Sequence, residues 1–237
     1  MFVERLKRNF RYDNKELLQM SLTALAFGLL MALRSLESGP IDQMIFLRAT
    51  LKMFIISFIV MLIHFSFEKL YAVKQGIEAK YVFNPAALVF GLYIGAIFFN
   101  VVYFLSPGYM KVTAIKRKRI GKFRHRMWFQ EFSSMAMTGI IGTLVVAGIM
   151  SSLMGSVPFV KEFIEIGLFV SVLSLIPIPR NDGFHIFFGN WFHYVFIIVF
   201  TVAFISLLYL TGLFYTLLFS TILGMLAFFY FFDKNYK

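Results

Sequence analysis

His64 and Glu68 stand four residues apart in the run Ile63-His-Phe-Ser-Phe-Glu-Lys-Leu-Tyr-Ala-Val-Lys-Gln-Gly76. On a helix that spacing puts both side chains on one face, one turn apart. An imidazole and a carboxylate so placed can hold one metal ion between them. The plainer role for the same pair is a His near a helix end, capped by a Glu at the membrane interface. Far along the chain, Leu175-Ile-Pro-Ile-Pro-Arg-Asn-Asp-Gly-Phe-His185 separates two long apolar runs. Its prolines and glycine stop any helix there, leaving Asp182 and His185 at the mouth of a membrane segment. An acid and an imidazole at membrane depth are costly unless paired, buried in protein or wetted, which makes them candidates for function. An interfacial turn with solvated polar tips is the bland alternative.

The elements that must position these groups are membrane helices. The chain is 59% hydrophobic with 32 Phe and a mean hydropathy of +0.78, far more apolar than a soluble domain. Several apolar runs are long enough to cross a bilayer. The expected fold is an all-α polytopic membrane protein, a single membrane domain over 1–237 with about six transmembrane helices plus a re-entrant segment. There is no cysteine, which excludes disulfides and thiolate chemistry. The formal charge is +11, but the basic residues lie in loops between spans. Cytoplasmic retention and anionic lipid headgroups account for that distribution. Nucleic acid is not expected as a partner unless the basic loop meets ribosomal RNA.

Residues 1–16 are polar and basic, and precede a retained span at Leu17–Leu33. That excess of Lys and Arg places the N-terminus in the cytoplasm. A second span runs from about Met44 to Phe67 and carries His64 and Glu68 past its cytoplasmic end. Residues 82–105 are apolar but broken by Asn84-Pro85, Gly91, Gly95 and Asn100, and the basic run including Lys116-Arg-Lys-Arg119 follows. A full crossing would put that run outside, so 82–105 is read as re-entrant, with 106–132 a basic cytoplasmic loop. Ser133–Met154, rich in small residues, and Phe159–Ile176 are the next spans. Residues 191–232 are twice one bilayer crossing and predict a helical hairpin turning near Leu210–Gly212. Both termini are then cytoplasmic, and His64, Glu68 and Asp182 fall at one membrane depth.

Order and spacing together resemble the site-2 proteases, a family of intramembrane zinc metalloproteases, in their archaeal-like form. The family's H-E-x-x-H is matched by His64-Phe-Ser-Phe-Glu68, with Ala72, Lys74 and Gly76 in register. Its N-x-x-P-x-P-x-L-D-G is matched by Ser174-Leu-Ile-Pro-Ile-Pro-Arg-Asn-Asp-Gly183. Ser106-Pro-Gly-Tyr-Met resembles its A-P-G-A-V turn, and Met137–Leu144 its A-G-P-x-x-N helix start. The likeness covers most of residues 55–195. It implies a metal site of His64, Glu68 and Asp182, with His185 as a further candidate ligand. Thr143, Asn181 and Gly183 stand at supporting positions, Thr143 where the family has an Asn thought to hold substrate or oxyanion.

The departures shape the functional reading. Glu68 replaces the family's second His, and Phe65 stands where the family has its general base. A polarised water needs a positioned base to take its proton, worth about 100- to 10,000-fold, and Phe cannot supply it. The expectation is therefore a degenerate scaffold, a pseudoenzyme that binds a membrane segment or partner membrane protein without hydrolysis. It holds either no cofactor or a divalent metal, zinc first among the choices, with manganese or ferrous iron also suited to such a donor set. The alternatives are an active or altered metalloprotease using His64, Glu68 and Asp182 as ligands, and a channel or transporter. His193 is expected in helix packing and Trp191 at the membrane interface.

Overall fold

The computed structural model describes residues 6, 10–34, 43–97, 106–114, 129–154 and 157–236. Five helices are long and apolar enough to cross a membrane, so the chain is a helical integral membrane protein. These are α1 (Asn14–Arg34), α2 (Gln43–Gln75), α4 (Phe129–Ser151), α7 (Trp191–Leu208) and α8 (Leu213–Tyr236). Among the described residues there are also three shorter helices: α3 (Pro85–Ile97), α5 (Val160–Leu175) and α6 (Asp182–Gly189). At 1.5 Å per residue α5 is about 24 Å long, against a hydrocarbon core of about 30 Å. The expected span Phe159–Ile176 is this helix, with both its ends, Val160 and Leu175, buried.

Two short strands join the helices that hydropathy foretold. β1 (Ile77–Val82) pairs antiparallel with β2 (Tyr109–Ala114), with Val82 opposite Tyr109. β1 alternates buried Ile77, Ala79 and Tyr81 with more open Glu78, Lys80 and Val82, the period-two pattern of a strand with one covered face. The pairing sets the two ends of residues 83–108 side by side, with α3 between them. Of the basic loop 106–132, β2 and the start of α4 are described; residues 115–128 lie outside the described residues.

Local chemistry sets the helix ends. Glu16 Oε2 accepts from Asp13 N at 2.8 Å, the returning half of a capping box at the start of α1. Asn190 Oδ1 accepts from Phe192 N and His193 N and starts α7. Gly76 takes φ 76° where α2 gives way to β1, a left-handed conformation that a Cβ disfavours. Residues 209–212 join α7 to α8, where the hairpin turn was expected, and α8 runs on past Asp233 to Tyr236.

Two apolar clusters fill the interior. One gathers Phe27, Met61, Phe65, Tyr81 and Val170; the other gathers Ile140, Leu144, Ile164, Ile197 and Phe204. α4 and α5 contribute to both, which places their neighbouring faces at the centre of the molecule. Outside, α8 exposes Leu218, Leu226 and Phe229, an apolar surface that a lipid bilayer covers.

Candidate metal centre

Three elements converge on His64. α2 supplies His64 and Glu68, α6 supplies Asp182 from its first residue, and α4 lays Gly139 and Thr143 against them. His64 Nε2 lies 3.0 Å from Asp182 Oδ2 and 3.3 Å from Glu68 Oε1. His64 Nδ1 lies 3.0 Å from Thr143 Oγ1. His64 and Glu68 are 0% exposed and Asp182 2%.

The local fold explains why these groups meet. Prolines 177 and 179 end α5, and Arg180 takes φ 66° in the turn that follows, a conformation costly for a residue with a Cβ. Asn181 Nδ2 then donates to Leu173 O and Ile176 O at 2.7 and 2.9 Å. Leu173 O also accepts from Ile176 N and Ile176 O from Ile178 N, so the Asn181 amide adds a second donor to each carbonyl at the end of α5. Gly183 lets α6 sit tight on that end, because a Cβ there would lie 2.2 Å from Leu175 O. Asn181 and Gly183 thus hold Asp182 in place from either side. Opposite, a Cβ on Gly139 would lie 2.6 Å from Glu68 Oε1 and 3.0 Å from His64 Nε2. Only glycine lets α4 come so close.

The donor set suits a cation. One ligand atom from each of His64, Glu68 and Asp182 can be chosen so that all lie within 4.8 Å of one another. Both Glu68 oxygens are buried, with no hydrogen-bond donor among the described residues. His64 Nε2 lies within hydrogen-bond geometry of Asp182 Oδ2 and of neither Glu68 oxygen. A buried carboxylate with neither donor nor cation is strongly disfavoured, so the residues present fit a bound divalent ion.

The other residues singled out by sequence fall elsewhere. The His185 ring stacks on Phe132 with centroids 5.1 Å apart and lies outside the His64 group. Burial pushes its imidazole below the usual value, partly opposed by the charge of Asp182. His193 Nδ1 meets Ser133 Oγ at 3.1 Å, a packing contact between α7 and α4. Phe65 is wholly buried, its ring 4.6 Å from that of Tyr81 and 5.0 Å from that of His64.

One buried group went unread in the sequence. Glu16 and Lys69 are 3% and 1% exposed and pair at 2.9 Å. Lys69 Nζ also donates to Arg11 O and lies 3.8 Å above the centre of the Tyr12 ring. Glu16 Oε1 accepts from Tyr81 N at 2.7 Å, and Tyr12 Oη meets Ser66 Oγ at 3.0 Å. This network ties the start of α1 to the turn of α2 that bears His64 and Glu68. The Asp13-x-x-Glu16 capping pattern was its one sequence signal.

No protein-family model matches this chain, and neither curated proteins nor solved structures yield a match. The functional reading therefore rests on the site itself.

Proposed function

We propose that this chain is a site-2-protease-like membrane protein that has lost hydrolysis, keeps a closed divalent-metal centre at His64, Glu68 and Asp182, and binds a membrane segment or partner membrane protein. The observation that carries the reading is the complete burial of these side chains, with no donor to either Glu68 oxygen among the described residues. A bound divalent ion supplies two positive charges to two carboxylates in a low-dielectric interior. His64, Glu68 and Asp182 hold it, Gly139 leaves it room, and Asn181 and Gly183 fix the backbone that carries Asp182.

Closure supports the non-hydrolytic half. A catalytic metal keeps a position open to water or substrate, whereas a structural one is enclosed. Phe65, at the family's general-base position, packs on Tyr81 instead of facing water. Oxygen donors alongside one imidazole suit zinc, manganese or ferrous iron. The paired strands, which return residues 83–108 to their starting point, support a re-entrant reading of 82–105. With both termini in the cytoplasm, the basic loop then faces anionic headgroups.

Metal analysis of the detergent-purified full chain tests the centre: a divalent ion that remains through dialysis is expected, and its absence overturns the assignment. Incubation with a single-span model substrate tests the rest. Cleavage by the wild type that stops in Asp182→Asn would establish a protease instead.

A further inference from the structure

The geometry points to Thr143 as a positioning residue that keeps His64 Nε2 bare and aimed at the carboxylates, a role separate from holding substrate or oxyanion. This inference rests on the metal centre proposed above. Imidazole Nε2 can be a ligand atom only when the ring's one proton sits on Nδ1, and the partner of Nδ1 decides where that proton stays.

Thr143 Oγ1 is the atom that meets Nδ1, at 3.0 Å. The same hydroxyl donates to Gly139 O, one turn back on α4, at 2.9 Å. A threonine that bonds back to its own helix has spent its single proton there. What it then presents to His64 is a lone pair, which accepts from Nδ1–H. Thr143 is 3% exposed, so water does not compete for either bond. The chain His64 Nδ1–H to Thr143 Oγ1–H to Gly139 O therefore runs one way, with a helix carbonyl at its end. It leaves the Nε2 lone pair directed at Asp182 Oδ2 and Glu68 Oε1, 3.0 and 3.3 Å away. Lone pair against carboxylate is repulsive unless a cation lies between them, so the Thr143 hydroxyl and the acidic pair select for the same occupant.

The same residue is commonly no more than filler between packed helices, and the test separates the two roles. Zinc(II) and cobalt(II) affinities are measured by chelator competition on full-length protein in detergent, for wild type, Thr143→Val, Thr143→Ala and Thr143→Ser. Val keeps the shape of Thr and lacks the hydroxyl, whereas Ser keeps the hydroxyl and lacks the methyl. Loss of an outer partner to a metal-binding His weakens affinity by about 10- to 100-fold. That loss is expected in Val and Ala, with Ser close to wild type and the cobalt absorption spectrum altered only in Val and Ala. Unchanged affinity in Val or Ala overturns the inference, as does a loss in Ser equal to that in Val. Should Val fail to fold, as judged by circular dichroism of the metal-free protein, the comparison of Ala with Ser decides. A wild type that binds neither ion fails at the metal centre itself, a result distinct from wild-type binding that ignores residue 143.

Discussion

His64 Nε2 and Asp182 Oδ2 meet at 3.0 Å across 118 positions of chain, with Glu68 Oε1 3.3 Å from the same nitrogen. Asp182→Asn removes one of the two charges that a divalent ion would balance, and His64→Ala removes the atom at the centre of the group. Each is expected to lower metal affinity by more than the roughly 10- to 100-fold that follows loss of an outer partner. Chelator competition on the purified variants measures it.

Gly139→Ala tests the close approach of α4. The added methyl would lie 2.6 Å from Glu68 Oε1 and 2.8 Å from Glu68 Cγ. Overpacking of this kind costs about 1–3 kcal/mol, and relief here requires Glu68 to turn away from His64. The expected outcome is a lower unfolding midpoint in detergent together with reduced metal content. A variant that keeps both would show that α4 does not crowd the site.

Lys69 and Glu16 make a second prediction about charge in the interior. Breaking a buried ion pair by removing one partner costs about 3–5 kcal/mol, because the other charge is stranded. Among the described residues, Lys69→Met leaves Glu16 with the backbone N–H groups of Asp13 and Tyr81, and is expected to destabilise by that order. Lys69→Met combined with Glu16→Gln is expected to recover much of the loss. Equilibrium unfolding of the two variants gives the comparison.

Phe65→Glu tests the proposed protease-like reading by placing a carboxylate beside His64. Phe65 is 0% exposed and packs on Tyr81, so a carboxylate there enters an apolar cluster at a cost of several kcal/mol. The variant is expected to unfold more readily and to leave a single-span substrate uncut. A gel-based cleavage assay beside a thermal melt reads both, and restored cleavage would mean that the scaffold still lacks only its base.

Hydropathy was sufficient for the membrane class, because the need to satisfy every backbone group in lipid leaves helices as the main way to cross it. The i, i+4 spacing of His64 and Glu68 was likewise legible, since helix geometry alone puts those side chains together. The Pro-rich break also pointed to Asp182 as special.

What sequence could not decide is which polar groups converge. Nothing local to Asp182 distinguishes it from His185, three residues on, yet α6 turns one toward His64 and stacks the other on Phe132. Nothing in the sequence pairs Lys69 with Glu16, 53 positions apart; the fold brings them to 2.9 Å and buries both. β1 and β2 depend on one another, as neither short strand has a partner within its own stretch of chain. In each case the deciding energy is burial against residues distant in sequence. Periodicity reports which face of an element is apolar; only packing determines what that face meets.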